Sequence, residues 1–168
     1  MEKIGLFYGS TTGETEDIVE KVKENFTENL ETINIQDSSI EEIQNYKNLI
    51  FATSTWGDGE LQSDWEKFED SLENIDFSNK NIALIGLGDQ ESYPDTFSNA
   101  IGVLYQKIGN ANILGRTSTK GYNFEESKAL VEDKFIGLVL DQVNQEELTK
   151  SRIEAWTKQV KEEFGNYN

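Results

Sequence analysis

Eight residues near the amino terminus, Tyr8-Gly9-Ser10-Thr11-Thr12-Gly13-Glu14-Thr15, combine four side-chain hydroxyls of Ser and Thr with two glycines. They follow an apolar run, Ile4-Gly5-Leu6-Phe7, and precede Ile18, Val19, Val22 and Phe26 at helical spacing. The stretch therefore reads as a strand-to-helix turn with the chemistry of an anion cradle. Glycines let the backbone fold tightly and turn its N–H groups inward. The helix adds the positive end of its dipole and its unpaired first N–H groups. Ser10, Thr11, Thr12 and Thr15 add hydroxyl donors, so the natural occupant is a phosphate. Ordinary helix capping needs one such hydroxyl. A nucleoside-triphosphate loop needs G-x-x-x-x-G-K-[ST], whereas Gly9 and Gly13 are one residue too close and Glu14 stands in the lysine position. Nor is there a G-x-G-x-x-G dinucleotide turn. Neutral donors suit a single phosphate monoester.

Two later stretches place aromatic rings in turn-rich surroundings. The first is Ser54-Thr55-Trp56-Gly57-Asp58-Gly59-Glu60-Leu61, the second Gly88-Asp89-Gln90-Glu91-Ser92-Tyr93-Pro94-Asp95. One loop aromatic alone could fold back onto the core. Two on adjacent loops, beside a phosphate cradle, can sandwich a flat ring.

The elements that must position these loops can be read along the chain. Strands are expected at Lys3 to Phe7, Thr32 to Ile35, Asn48 to Thr53, Asn81 to Leu87, Ala111 to Leu114 and Phe135 to Leu140. A first helix is expected from 14 to about 30, with Ile18, Val22, Phe26 and Leu30 on one face. Asp37-Ser38-Ser39 offers caps for a brief helix carrying Ile40 and Ile43. Leu61, Trp65, Phe68 and Leu72 mark the next helix, and Phe97, Ile101, Leu104, Tyr105 and Ile108 the one after. The last helix starts near Glu146 and turns Ile153, Trp156, Val160 and Phe164 inward. Continuous apolar strands alternating with helices mean a parallel sheet covered on both faces. The expected fold is one α/β domain over residues 1–168, a doubly wound five-stranded sheet of flavodoxin-like order 2-1-3-4-5. Its ligand edge lies at the carboxyl ends of the first, third and fourth strands. Residues 115–134 read as a polar surface insertion in the fifth strand.

Composition excludes several chemistries. The 168 residues contain no His and no Cys and carry a net charge of −17. There is no thiolate nucleophile, disulfide, thiolate metal site or imidazole base. No apolar run approaches the length of a membrane span, and a cytoplasmic protein is expected. The acidic balance disfavours nucleic acid and anionic membranes and favours a basic protein partner.

Three motifs together resemble the flavodoxins of the long-chain type. They are Ser10-Thr11-Thr12-Gly13-Glu14-Thr15, Thr55-Trp56 with Gly59-Glu60-Leu61-Gln62-Ser63-Asp64-Trp65, and Gly88-Asp89-Gln90 with Tyr93. The resemblance covers essentially the whole chain, including the 115–134 insertion. It implies non-covalently bound FMN and low-potential one-electron transfer, shuttling between semiquinone and hydroquinone, with no substrate of its own. It also implies that the 10–15 loop holds the phosphate and that Trp56 and Tyr93 flank the isoalloxazine. Ser54, Thr55, Gly57, Asp58, Gly59, Leu87, Gly88, Asp89, Gln90, Asp95 and Thr96 complete the expected site; no metal is expected. Three residues depart from common family members: Ser54 where Pro is frequent, Gly57 in place of a bulkier residue, and Thr96 where Asn is common. In the family, the peptide after the first aromatic turns over on reduction. Gly57 is expected to make that turn easy and to favour the semiquinone.

Asp58, Glu60, Asp89, Glu91 and Asp95 lie in or beside the aromatic loops. One carboxylate at about 8 Å disfavours a reduced, anionic flavin by roughly 2 kcal/mol at an effective dielectric near 20. That is on the order of 90 mV for one electron. The alternative function is a two-electron FMN reductase of the quinone-reductase kind, which needs an open ring face that Trp56 and Tyr93 leave covered. A receiver-type signalling module would want an acidic cluster where this chain has Ser and Thr. Family resemblance implies a monomer that docks transiently on basic redox partners, a ferredoxin–NADP reductase and photosystem I among them.

Overall fold

The computed structural model describes residues 2–26 and 29–167. A parallel sheet forms its middle layer. Strand β1 (Ile4–Tyr8) leads through the hydroxyl-rich turn into helix α1 (Glu14–Asn25), whose Ile18, Val19 and Val22 are fully buried. The helix is shorter than expected. Phe26 already has extended dihedrals, and Lys161 donates to the carbonyl of Asn25. The end of the expected helix, Thr27 and Glu28, falls outside the described residues. Leu30, expected on the helix, opens β2 (Leu30–Asn34) yet packs in the same cluster as Ile18 and Val22. Ile35, expected as the end of that strand, enters a 3₁₀ turn (Ile35–Asp37) because the Asn34 side chain accepts from the Gln36 N–H at 3.0 Å. Ser39 caps the short α2 (Ile40–Gln44).

The central strand β3 (Asn48–Trp56) is three residues longer than expected at its carboxyl end. A two-residue β4 (Glu60–Leu61) folds back on it, pairing Trp56 with Glu60 and Thr55 with Leu61. The Trp56 loop is therefore a hairpin tip. Leu61 belongs to this hairpin, and α3 (Ser63–Leu72) begins after Gln62. Strand β5 (Asn81–Leu87) is buried along its whole length, and α4 (Asn99–Lys107) follows. Phe97, expected on that helix, precedes it.

The fifth strand is split. β6 (Asn112–Leu114) pairs with β5 from Asn81 to Ala83, and β9 (Leu138–Leu140) pairs with β5 from Ile85 to Leu87. The expected run from Phe135 breaks at Gly137, whose Cα packs so near the Leu84 carbonyl that a Cβ would stand 2.2 Å from it. Counted this way, the sheet order β2-β1-β3-β5-β6 is the expected one. Helix α5 (Glu146–Asn166) closes the chain.

The insertion is less superficial than its polar sequence implies. Its hairpin, β7 (Leu130–Val131) and β8 (Lys134–Phe135), brings a fully buried Phe135 against Phe97, Tyr122 and Phe124, with centroids 5.0–6.2 Å apart. Arg152 of α5 lies 4.0 Å over the Tyr122 ring. The insertion thus extends the core on the α3–α4 face of the sheet. A second cluster, holding Ile18, Ile85, Trp156 and Phe164, fills the α1–α5 face. At the amino edge, Asn48, Asn81 and Asn112 are in register, and each side-chain amide of the last two donates to its neighbour at 2.9 and 3.0 Å.

Candidate functional site

The loops after β1, β3 and β5 meet at the carboxyl edge of the sheet, as the strand order requires. In the first loop, the Ser10 hydroxyl oxygen accepts from the Gly13 N–H at 3.0 Å, which leaves its O–H able to donate outward. Thr11 accepts from Gln62 Nε2 at 3.0 Å and keeps its own O–H in the same way. Gly13 has φ of 89°, and no side chain caps α1. The hydroxyls are therefore not spent on helix capping, and the first N–H groups of α1 remain for a ligand. Thr11, Thr12 and Glu14 are exposed, whereas the Thr15 side chain is buried. Loss of surrounding water, then the charges of Asp141 and Asp17, push the Glu14 carboxyl above its ordinary range.

Gln62 is a residue that sequence reasoning did not place in the site. It is fully buried, caps α3 by accepting from the Asp64 and Trp65 N–H groups, and reaches Thr11 with its amide. Gly9 leaves room for it: a Cβ there would lie 2.1 Å from Gln62 Oε1. The signal was faint, a single amide between a short strand and a helix 51 residues from its partner.

In the second loop, Trp56 is 39 % exposed and donates through Nε1 to Ser54 Oγ at 2.8 Å. Ser54 thus steers the indole. Gly57 and Gly59 at the hairpin tip have φ of 49° and 93°. Thr55 Oγ1 accepts from the Ala100 N–H at 3.1 Å, capping α4 from a neighbouring strand.

In the third loop, Leu87 is buried in the core and Gly88 donates to the Leu140 carbonyl at 3.0 Å, which ties the start of the loop to β9. Tyr93 is 42 % exposed. Thr96 Oγ1 donates to Asp58 Oδ1 at 3.3 Å, joining the second and third loops. Gln90 is buried and both ends of its side chain are engaged, with Asp141 Oδ2 at 2.7 Å and the Asn123 N–H at 2.7 Å. Desolvation raises the Asp89 carboxyl, but hydrogen bonds from Ser92 and Asn144 outweigh it and hold the group below its ordinary range. Outside the loop faces, Asp58 and Asp95 line a groove of about 560 Å³ with Glu125, Glu126 and Lys128. The hydrogen bond and charge of Asp95 push the Glu125 carboxyl up. Among the described residues, no cluster of acidic side chains is arranged to hold a metal ion.

A hydroxyl-rich loop before an uncapped helix, with exposed rings on the two neighbouring loops, defines a doubly wound protein built to hold a phosphorylated planar group. The family model for flavodoxin matches residues 6–156. A flavodoxin from Trichodesmium erythraeum is 47% identical over 98% of this chain and 99% of its own. One from Helicobacter pylori is 43% identical over 98% and 99%. The crystal structure of Fusobacterium nucleatum flavodoxin bound to flavin mononucleotide superposes with a TM-score of 0.93 at 37% identity, covering 97% of this chain and 99% of that one. The chain belongs to the flavodoxin family.

Proposed function

We propose that the chain binds FMN non-covalently at this edge and carries electrons singly between other redox proteins, without a substrate of its own. The observation that carries the reading is the pairing of an uncapped α1 N-terminus with exposed Trp56 and Tyr93 on adjacent loops. A phosphate monoester fits the first and a flat conjugated ring the second. When bound, FMN supplies a ring that takes up and releases electrons one at a time. The backbone of residues 10–15 and the hydroxyls of Ser10, Thr11 and Thr12 hold the phosphate. Trp56 and Tyr93 cover the ring faces and exclude water, which leaves an edge for electron exchange and disfavours a two-electron reductase. Gly57 gives the backbone beside the ring its freedom, and Gly59, Thr55 and Thr96 hold that hairpin against α4. Residues 87–90 line the ring edge, their shape held by the bonds of the Gly88 and Gln90 N–H groups to the Leu140 carbonyl and Asp141.

Full reduction adds negative charge near Asp58, Asp89 and Asp95, so the second electron sits at low potential. The net charge of −17 and the acidic groove beside Asp58 and Asp95 suit transient docking on basic redox proteins. A ferredoxin–NADP reductase is the first such partner, and photosystem I the second where the host has one. The carrier works as a cytoplasmic monomer. Anaerobic photoreduction of the FMN-loaded protein tests the reading. A spectral form midway between oxidised and fully reduced should build up and then bleach. Passage directly to the fully reduced form overturns it in favour of two-electron chemistry.

A further inference from the structure

Asp141, just past the end of β9, is a fully buried carboxylate. None of the three ion pairs among the described residues involves it. A buried charge without a counter-ion is unfavourable unless hydrogen bonds satisfy it. Among the described residues its donors come from Gln90 and Asn144. The Gln90 N–H reaches Oδ2 at 3.0 Å and Gln90 Nε2 reaches it at 2.7 Å. Asn144 supplies its N–H to Oδ1 at 3.0 Å and its Nδ2 to Oδ2 at 2.9 Å. The same Asn144 amide also donates to Asp89 Oδ1 at 2.8 Å. Asp89 in turn takes the Ser92 N–H on that oxygen at 2.9 Å, and its carbonyl takes the Tyr93 N–H at 3.0 Å. A continuous chain of bonds therefore runs from Asp141 through Asn144 to the backbone that carries Tyr93. The charge of Asp141 is also felt at Glu14, on the first turn of α1.

We propose that Asp141 and Asn144 are positioning residues for the flavin: they hold residues 88–93 in the shape that receives the ring, before it arrives. The inference rests on the placement of the ring beside Tyr93 proposed above. Among the described residues neither side chain hydrogen-bonds the phosphate loop, and variants of Asn144 leave the Asp141 carboxylate in place, so their effect falls on the ring half of the site. Asn144→Ala keeps the charge and removes both side-chain bonds. Asn144→Asp keeps the shape but turns the shared donor into an acceptor facing two carboxylates.

The test titrates the apoprotein with FMN, with riboflavin and with inorganic phosphate, and measures its urea midpoint. Asn144→Ala should weaken FMN and riboflavin by the same factor, about tenfold for a lost bond to a charged group. Phosphate binding should stay within about twofold of the parent on the same scale. Asn144→Asp should lose more flavin affinity than Asn144→Ala, which a space-filling role would not produce. Flavin affinities unchanged in both variants, with only the urea midpoint lowered, would overturn the proposal, as would a parallel loss of phosphate binding. Tyr93→Ala serves as the control. Unchanged FMN affinity in that variant overturns the ring placement itself, and this inference with it.

Discussion

At the scale of single residues, glycines decide what the site can be. Gly9 faces Gln62 so closely that Gly9→Ala must displace the amide from Thr11. The expected outcome is FMN binding weakened at least tenfold, about 1.4 kcal/mol, with riboflavin less affected, read by fluorescence titration. Gly57 is the opposite case. It has φ of 49° and open space around it, so Gly57→Ala meets no atom and suffers only the backbone penalty, about 1–2 kcal/mol. A urea denaturation of the apoprotein measures that loss, and photoreduction measures the change in the half-reduced fraction, which should fall. These glycines could be read from the sequence because turns announce them. Gln62, Asp141 and Asn144 could not, since each acts on a partner that only the fold brings near.

At the scale of elements, helix ends are held by side chains from elsewhere. Thr55 in β3 satisfies the Ala100 N–H of α4. Thr55→Val should lower stability by about 1 kcal/mol, the usual worth of a capping bond, seen as a drop in the urea midpoint with an unchanged slope. The alternation of strands and helices was plain in the residues, because each central strand is a continuous apolar run. Boundaries were not. Leu61 and Trp65 have helical spacing and share one cluster, yet Leu61 is in a strand. Burial sets the spacing of apolar residues; local hydrogen bonds decide which element they sit in. The hairpin that lengthens β3 rests on two residue pairs, Thr55 with Leu61 and Trp56 with Glu60, too few to leave a pattern.

At the scale of the whole molecule, charge and pH act together. Neutralising Asp58 and Asp95 in one protein should raise the second reduction potential by tens of millivolts, on the order of the 90 mV expected per close carboxylate less solvent screening. Potentiometric titration at low and high salt reads both parts. Away from the site, desolvation and then the hydrogen bond to Glu31 push the Tyr46 hydroxyl up to about 12. A group whose folded value lies above its ordinary one stabilises the fold below that ordinary value. The contribution is complete below about pH 10 and is lost as pH rises through about 12. The urea midpoint should fall across that window, and less steeply in Tyr46→Phe; Tyr122, pushed up to about 12 by burial, and Tyr8, raised by desolvation, contribute to the part that persists.

The split fifth strand has a consequence for how such chains can be lengthened or shortened. Leu114 sits opposite Ala83 and Leu138 opposite Ile85, so one position, opposite Leu84, is all that separates the two halves. Gly137 is already the residue before Leu138. Excising residues 115–136 would join Leu114 to Gly137 and restore an unbroken strand with every side chain on its original face. The stretch 115–136, the insertion with Phe135 and Ile136, is thus a detour that leaves and rejoins the sheet in phase. A version without it loses Phe135 and bares Phe97, while the three loops of the flavin edge keep their anchoring strands.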